Sequence, residues 1–280
     1  MSIVIGVLAP GAMGSAIAAG LVEHGARVLT SLDGRSAATV ARAQAAGMVD
    51  ASTDEIARAD LVLSIVPPGD AMALAERLAP HLTVSSRKPV YVDCNAVSPT
   101  TKQQIAASIA PTGCDFVDGG IIGFPPVPGG KGPALYVSGD PHRRTAGLAE
   151  LGIDWRWMDA PIGAAAALKM SYGGIGKGSI ALGAAMILAA SRAGATAALH
   201  GELGKSQPQV LTRYQRAIPD MYAKAYRWVA EMREIAAFLG EDEAAAMMFE
   251  GAARLYERLA ADVAGDGRER ALLDAFFKVE

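Results

Sequence analysis

The turn Ala9-Pro10-Gly11-Ala12-Met13-Gly14 follows an apolar run over residues 3–8 and opens a helical pattern. Strand, turn and helix in that order are what a dinucleotide site requires. Gly11 lets the backbone approach a pyrophosphate, Gly14 lets the helix lie close on the strand, and the free N–H groups at the helix start favour an anion. Ala12 and Met13 complete the turn, and Ala9 stands where the first glycine of G-x-G-x-x-G is usual. The end of the second strand chooses the nucleotide. Asp33 is placed to bond a ribose 2′-hydroxyl, whereas Arg35 and Ser36 at a helix start make a nest for a 2′-phosphate. NADP is therefore expected, with NAD as the alternative. Val66 and Pro67 are counted with the same cofactor site. The second candidate is Lys169, in the run Gly163-Ala164-Ala165-Ala166-Ala167-Leu168-Lys169-Met170. A lysine in so apolar a helix is unfavourable unless it faces a cleft, and a cleft after a domain boundary is where substrate sits. Taken alone, the residue reads better as one that snorkels to solvent.

The elements that must position these residues are legible in outline. Buried strands are expected at 3–8, 27–32, 61–66 and 89–93, with weaker ones at 116–119 and 134–138. Helices are expected at 13–23 and 36–46. Strands alternating with helices predict right-handed βαβ units and a doubly wound, mostly parallel α/β sheet, a Rossmann domain over residues 1–160. Beyond Pro161 the pattern turns helical, with helices at 163–192, 220–239 and 242–263, so residues 161–280 are expected to form an all-α domain for substrate and dimerisation. Pro219 with Asp220 and Gly240 with Asp242 read as helix boundaries.

Bulk properties exclude several function classes. A chain of 280 residues suits two modest domains, and a net charge of −3 offers neither a nucleic-acid footprint nor a polybasic membrane patch. Cys94 and Cys114 lack metal-ligand spacing and suit a reducing, cytoplasmic compartment. His24, His81, His142 and His200 are scattered, so no metal site is expected. The apolar stretch 178–191 is shorter than the about 20 residues of a membrane span and reads as a buried core helix.

Taken in order, these segments resemble the β-hydroxyacid dehydrogenase and 6-phosphogluconate dehydrogenase superfamily, more closely its branch with a short all-helical C-terminal domain of formerly unknown function. Ala9 to Gly14 is similar to that family's G-x-G-x-M-G turn. Asp93-Cys94-Asn95-Ala96-Val97-Ser98-Pro99 resembles D-x-S-T-x-x-P, with Asn95 for serine. Asp118-Gly119-Gly120-Ile121-Ile122-Gly123 resembles D-A-P-V-S-G, with Ile122 for serine. Gly163 to Lys169 resembles G-x-G-x-x-x-K, with Tyr172 and Gly173 where asparagines are usual, and residues 225–235 look like the helical signature of the smaller branch.

The resemblance implies an NAD(P)-dependent oxidoreductase acting on a hydroxy acid or alcohol. Lys169 becomes the general acid/base, Asn95 bonds substrate or the nicotinamide carboxamide, and Gly123 lets the backbone near the substrate. Ile122, Tyr172 and Lys177 are added on the substrate side, Lys177 either depressing the pKa of Lys169 or binding an anionic group. With Ile121, Ile122, Phe124, Pro125 and Pro126 at hand, a small-molecule substrate with one apolar side is expected rather than a very small polar one. The alternatives are an imine reductase-like enzyme, against which Lys169 argues, and an NADP-binding protein without turnover. The Ala- and Gly-rich helix from 163 onward suggests a homodimer.

Overall fold

The computed structural model describes residues 2–126 and 132–279. By their contacts the residues divide into two compact units, Met1–Lys169 and Met170–Glu280. The division lies inside a helix, some residues beyond the composition change near Pro161.

In the first unit β1 (Val4–Leu8), β2 (Arg27–Thr30), β3 (Val49–Asp50), β4 (Leu61–Ser64), β5 (Val90–Asp93), β6 (Phe116–Ile122), β7 (Ala134–Ser138) and β8 (Asp154–Trp157) form one sheet. Their order is β3-β2-β1-β4-β5-β6-β7-β8. Every pairing is parallel except β6 with β7. Helices α1 (Ala12–Glu23), α2 (Ala37–Ala45), α3 (Thr53–Ile56), α4 (Ala71–Val84) and α5 (Pro99–Ile109) make the crossovers. The central strands are buried on both faces, which is why they read as unbroken apolar runs. One core joins Ile5, Val7, Ile17, Leu21 and Val92. Another joins Leu29, Ile56, Val62, Leu78, Tyr91 and Ile105. The mostly parallel sheet is the Rossmann-like fold expected, and it brings the ends of β1, β4, β5 and β6 to one carboxyl edge, where open α/β sheets bind ligands.

The helix α6 (Ala164–Arg192) crosses the division between the units. It is longer than the apolar stretch that marked it, and by length and composition alone it could cross a membrane. Its first turn is instead bound to side chains of the sheet, as described below. The rest of the second unit is α7 (Thr196–Ser206), α8 (Pro208–Tyr222), α9 (Ala225–Phe238), α10 (Glu243–Ala264) and α11 (Arg268–Phe276). Here α9 and α10 share a core in which the Trp228 and Tyr256 rings meet edge to face at 5.2 Å. Asp242 caps α10 through the Ala245 N–H at 3.1 Å, as its place after Gly240 suggested.

Pro219 does not start a helix. It lies inside α8, whose true end is at Tyr222. An interior proline costs about 3 kcal/mol. Its neighbours Ile218 and Met221 are wholly buried, and two such side chains contribute more than that, at roughly 2 to 3 kcal/mol each.

Candidate active site

The cofactor turn has the geometry its residues imply. A Cβ on Gly14 would stand 2.3 Å from the Ala9 carbonyl oxygen, so only glycine lets α1 lie this close to the end of β1. A Cβ on Gly11 would meet nothing within 4 Å, so the backbone there faces open space. No side chain caps the first turn of α1, and no acidic residue occupies it. Its N–H groups and the positive end of the helix dipole suit a pyrophosphate. Ala12 is exposed, Met13 packs against the core, and Arg42 steadies the turn by donating to the Pro10 carbonyl at 3.2 Å. These residues fit a dinucleotide.

Arg35 and Asp33 line one cleft of about 410 Å³ together with Leu8, Ala9, Val66 and Arg77. Both charges are exposed. The acid that would select NAD and the base that would select NADP therefore flank the same space. Arg77, from α4, is a second cation there that the sequence did not single out. Ser36 serves as the N-cap of α2, its hydroxyl accepting from Thr39 N at 3.3 Å and pairing with Thr39 Oγ1 at 3.0 Å. Pro67 is exposed at the start of a short 3-10 turn.

Asn95 differs in role from the expectation. It is 2% exposed, and its amide is engaged on every side. Nδ2 donates to Ser64 Oγ at 2.8 Å and to Asp93 Oδ2 at 2.9 Å, while Oδ1 accepts from Val66 N at 2.6 Å. Both donors are used within the protein, so Asn95 ties the end of β4 to the end of β5 rather than reaching for substrate or nicotinamide.

Beneath it lies a charge cluster that sequence reasoning missed. Lys102, Asp93 and Asp118 are each wholly buried. The Lys102 ammonium donates to the Asp93 carboxylate and lies 3.4 Å from Asp118 Oδ1. Burial opposes the ammonium, but Asp93 and Asp118 more than offset it and hold the pKa above the ordinary lysine value. The neighbouring Cys94 thiol is pushed up to about 12, chiefly by burial, so it is no nucleophile at neutral pH. In sequence Lys102 is one polar residue of an unremarkable helix, Thr100-Thr101-Lys102-Gln103-Gln104, and carries no signal of burial.

Asp118 turns its other oxygen to α6. Oδ2 accepts from Gly163 N at 2.9 Å, Ala166 N at 3.1 Å and Ser138 Oγ at 3.1 Å. Ser138 Oγ in turn accepts from Ala165 N at 3.1 Å. The helix start is thereby satisfied by side chains of β6 and β7. Gly120 permits the approach: a Cβ there would be 2.7 Å from the Ala165 carbonyl oxygen and 3.5 Å from Lys169 Cβ. So held, Lys169 is half-buried and its Nζ donates to the Ile121 carbonyl at the end of β6. The Ile121 side chain is 4% exposed and belongs to the core on the α1 face, so its carbonyl, not its side chain, faces the lysine. Ile122 is half-buried, and Gly123 is exposed with φ of 134°, a conformation that favours glycine.

Within the second unit Tyr172 is 63% exposed. The Lys177 ammonium is ion-paired with Glu231 and lies 5.7 Å from the centre of the Trp228 ring. Its charge is thus answered inside the helical unit. A substrate anion would have to compete with Glu231 for it.

Comparison with known proteins bears on the family and the fold. Residues 4–151 match the family described as the NAD binding domain of 6-phosphogluconate dehydrogenase, and residues 190–259 match Domain of unknown function (DUF1932). Comparison with curated proteins gives no match. Among solved structures, a conserved protein of unknown function, described as structurally similar to 3-hydroxyacid dehydrogenases, is 26% identical. The alignment covers 97% of this chain and 99% of that one, with a TM-score of 0.72. A Mycobacterium tuberculosis 3-hydroxyisobutyrate dehydrogenase with L-serine shares the fold at 20% identity, with coverage of 98% and 99% and a TM-score of 0.74. An imine reductase from Myxococcus stipitatus in complex with NADP+ shares it at 19% identity, with 99% of each chain covered and a TM-score of 0.55. With more than half of its residues matched by the first of these family descriptions, the chain belongs to the 6-phosphogluconate dehydrogenase family of NAD-binding proteins and carries the hydroxyacid dehydrogenase-like fold.

Proposed function

We propose that the protein is an NADP-dependent oxidoreductase that moves a hydride between nicotinamide and a hydroxy acid or alcohol, with Lys169 as general acid/base. The observation that carries this reading is the Lys169 amine held at the Ile121 carbonyl, on the same carboxyl edge of the sheet as the start of α1. Bound nicotinamide would take the hydride from the carbinol carbon in oxidation and return it in reduction. A neutral Lys169 can donate one N–H to Ile121 O and still turn its lone pair to a substrate hydroxyl, whose proton it takes. In reduction its ammonium returns that proton to the forming alkoxide. Gly11 and Gly14 open the backbone to the pyrophosphate, and Arg35 answers the 2′-phosphate. The half-buried Ile122 favours a substrate with one apolar side.

The test is a titration with NADPH and with NADH, followed by nicotinamide fluorescence, in the wild type and in Arg35→Ala. NADPH should bind about tenfold tighter or more, and Arg35→Ala should remove that gap, a difference of about 1.4 kcal/mol. Tighter binding of NADH would assign the site to NAD through Asp33. Binding of neither would refute the reading altogether. A panel of 3-hydroxy acids, alcohols and cyclic imines then distinguishes alcohol oxidation from imine reduction, and turnover of none would favour a binding protein.

The assembly we propose is a homodimer in the cytoplasm. Tyr172, Ile175, Leu182 and Met186 are large, exposed and spaced along one stripe of α6. A second copy is the simplest cover for such a stripe. Light scattering on the eluting protein should give twice the chain mass of 28.9 kDa, and Leu182→Glu with Met186→Glu should return it to the monomer. Two buried cysteines without a disulfide suit a reducing compartment.

A further inference from the structure

We infer that Lys102 is a positioning residue, one buried cation that fixes both the Asn95 side of the cofactor loop and the start of the helix that carries Lys169. Asp93 and Asp118 are register partners on the adjacent parallel strands β5 and β6, so their side chains leave the same face of the sheet. Two carboxylates so close, with water excluded, repel each other strongly unless a cation stands beside them. Lys102 reaches them from the first turns of α5. Its three N–H donors go to the Asp93 carboxylate, the Asp93 carbonyl and the Gly119 carbonyl, the last at 3.2 Å. Nothing on the ammonium is left over.

Each carboxylate then carries a different load besides the cation. Asp93 Oδ1 accepts from Asn95 N at 3.0 Å and Oδ2 from Asn95 Nδ2 at 2.9 Å, which orients Asn95 onto Val66 N. Asp118 Oδ2 holds Gly163 N and Ala166 N, the latter less than one helical turn before Lys169. Stability alone does not account for such a cluster, because a buried ionic set can often be replaced by apolar side chains of similar volume without loss. Ionised acceptors at two fixed points are what the apolar set could not supply. Lys102 stands beside both carboxylates, and each carboxylate places one half of the site.

What is positioned rests on the hydride-transfer reading above, but the first measurement needs neither cofactor nor substrate. Amide hydrogen exchange on the whole protein would compare the wild type with Lys102→Met, Asp93→Asn and Asp118→Asn. In Lys102→Met, exchange should quicken about tenfold or more at both sets of amides, Val66 with Asn95 and Gly163 with Ala166, while the β1–β2 amides keep their rates. Asp93→Asn should affect the first set only and Asp118→Asn the second only. Unchanged rates at either set in Lys102→Met, or uniform quickening across the sheet, would overturn the proposal. Should Lys102→Met not fold, the two asparagine variants decide: wild-type rates at Gly163 and Ala166 in Asp118→Asn, or loss of both sets in either variant, would overturn it.

The kinetic readout separates positioning from bulk stability. With a substrate that turns over, Lys102→Met should lose about 100-fold in kcat with little change in KM, as misplacement of a reacting group does, while circular dichroism shows it folded. An unchanged kcat would again refute the assignment. If the wild type turns over no substrate, the enzymatic reading fails, and the exchange pattern still decides what Lys102 holds.

Discussion

Replacing Lys169 by alanine should lower kcat about 1,000-fold and leave NADPH affinity within a factor of about two. Loss of a positioned proton donor and acceptor removes roughly 10² to 10⁴ in rate. On the proposed reading the nucleotide is held elsewhere, at the turn of Gly11 and Gly14 and beside Arg35, so its affinity does not depend on Lys169. The fold should survive. Lys169 Cβ, which packs near Gly120, is retained in alanine, and the loss at Ile121 O is one partly buried hydrogen bond, about 1 kcal/mol. Lys169→Arg separates charge from proton transfer. Arginine keeps the cation and the donors but does not release a proton at any working pH, so it should be as impaired as alanine. Steady-state rates for the three proteins, with NADPH fluorescence titrations alongside, check this. Alanine retaining a fifth or more of wild-type kcat would remove Lys169 from the chemistry. Simultaneous loss of nucleotide binding would make it a structural residue.

How far the site could be read from the sequence follows from how local each cause is. Gly11 and Gly14 act within one turn, so what their type and spacing imply is local: the backbone is open at Gly11, and α1 lies close on the end of β1 at Gly14. Lys169 stood out because a cation in a run of alanines is conspicuous. Lys102 did not, because its burial is set by Asp93 and Asp118, which become neighbours only when β5 pairs with β6. Asn95 was picked out by its place in a motif, but its partners Ser64 and Val66 lie at the end of another strand, and that is what turns its amide inward. Lys177 likewise gained its meaning from Glu231, a helix away. In the fold, the buried parallel strands were plain, whereas β8 was not. Its run Asp154-Trp155-Arg156-Trp157 alternates, with Asp154 and Arg156 paired outward and Trp155 in the core, as suits the last strand of a sheet. The helix through Pro219 was hidden for the opposite reason: burial of Ile218 and Met221 overrode a strong local signal.

Asp118→Ala should be the most destabilising single change at this site, by about 4 kcal/mol. The variant leaves Gly163 N, Ala166 N and Ser138 Oγ without their acceptor and takes one of the two counter-charges from Lys102. Removing one partner of a buried ion pair costs about 3 to 5 kcal/mol. Asp93 remains to hold Lys102, which lowers that figure, and the lost helix cap adds about 1 kcal/mol. For a sheet unit of this size the melting temperature should fall by roughly 10 °C. The pH dependence follows from the raised Lys102 pKa. A lysine whose folded pKa lies above its unfolded value, about 10.4, stabilises fully below that value, and the contribution is lost as pH rises through the folded pKa. Between about pH 6 and 9 the cation is present in both folded and unfolded chains, so the gap between wild type and Asp118→Ala should stay level in thermal melts across that range. A gap that narrows there would mean that Lys102 gives up its proton inside the fold, and that Asp93 and Asp118 do not hold the charge the geometry assigns them.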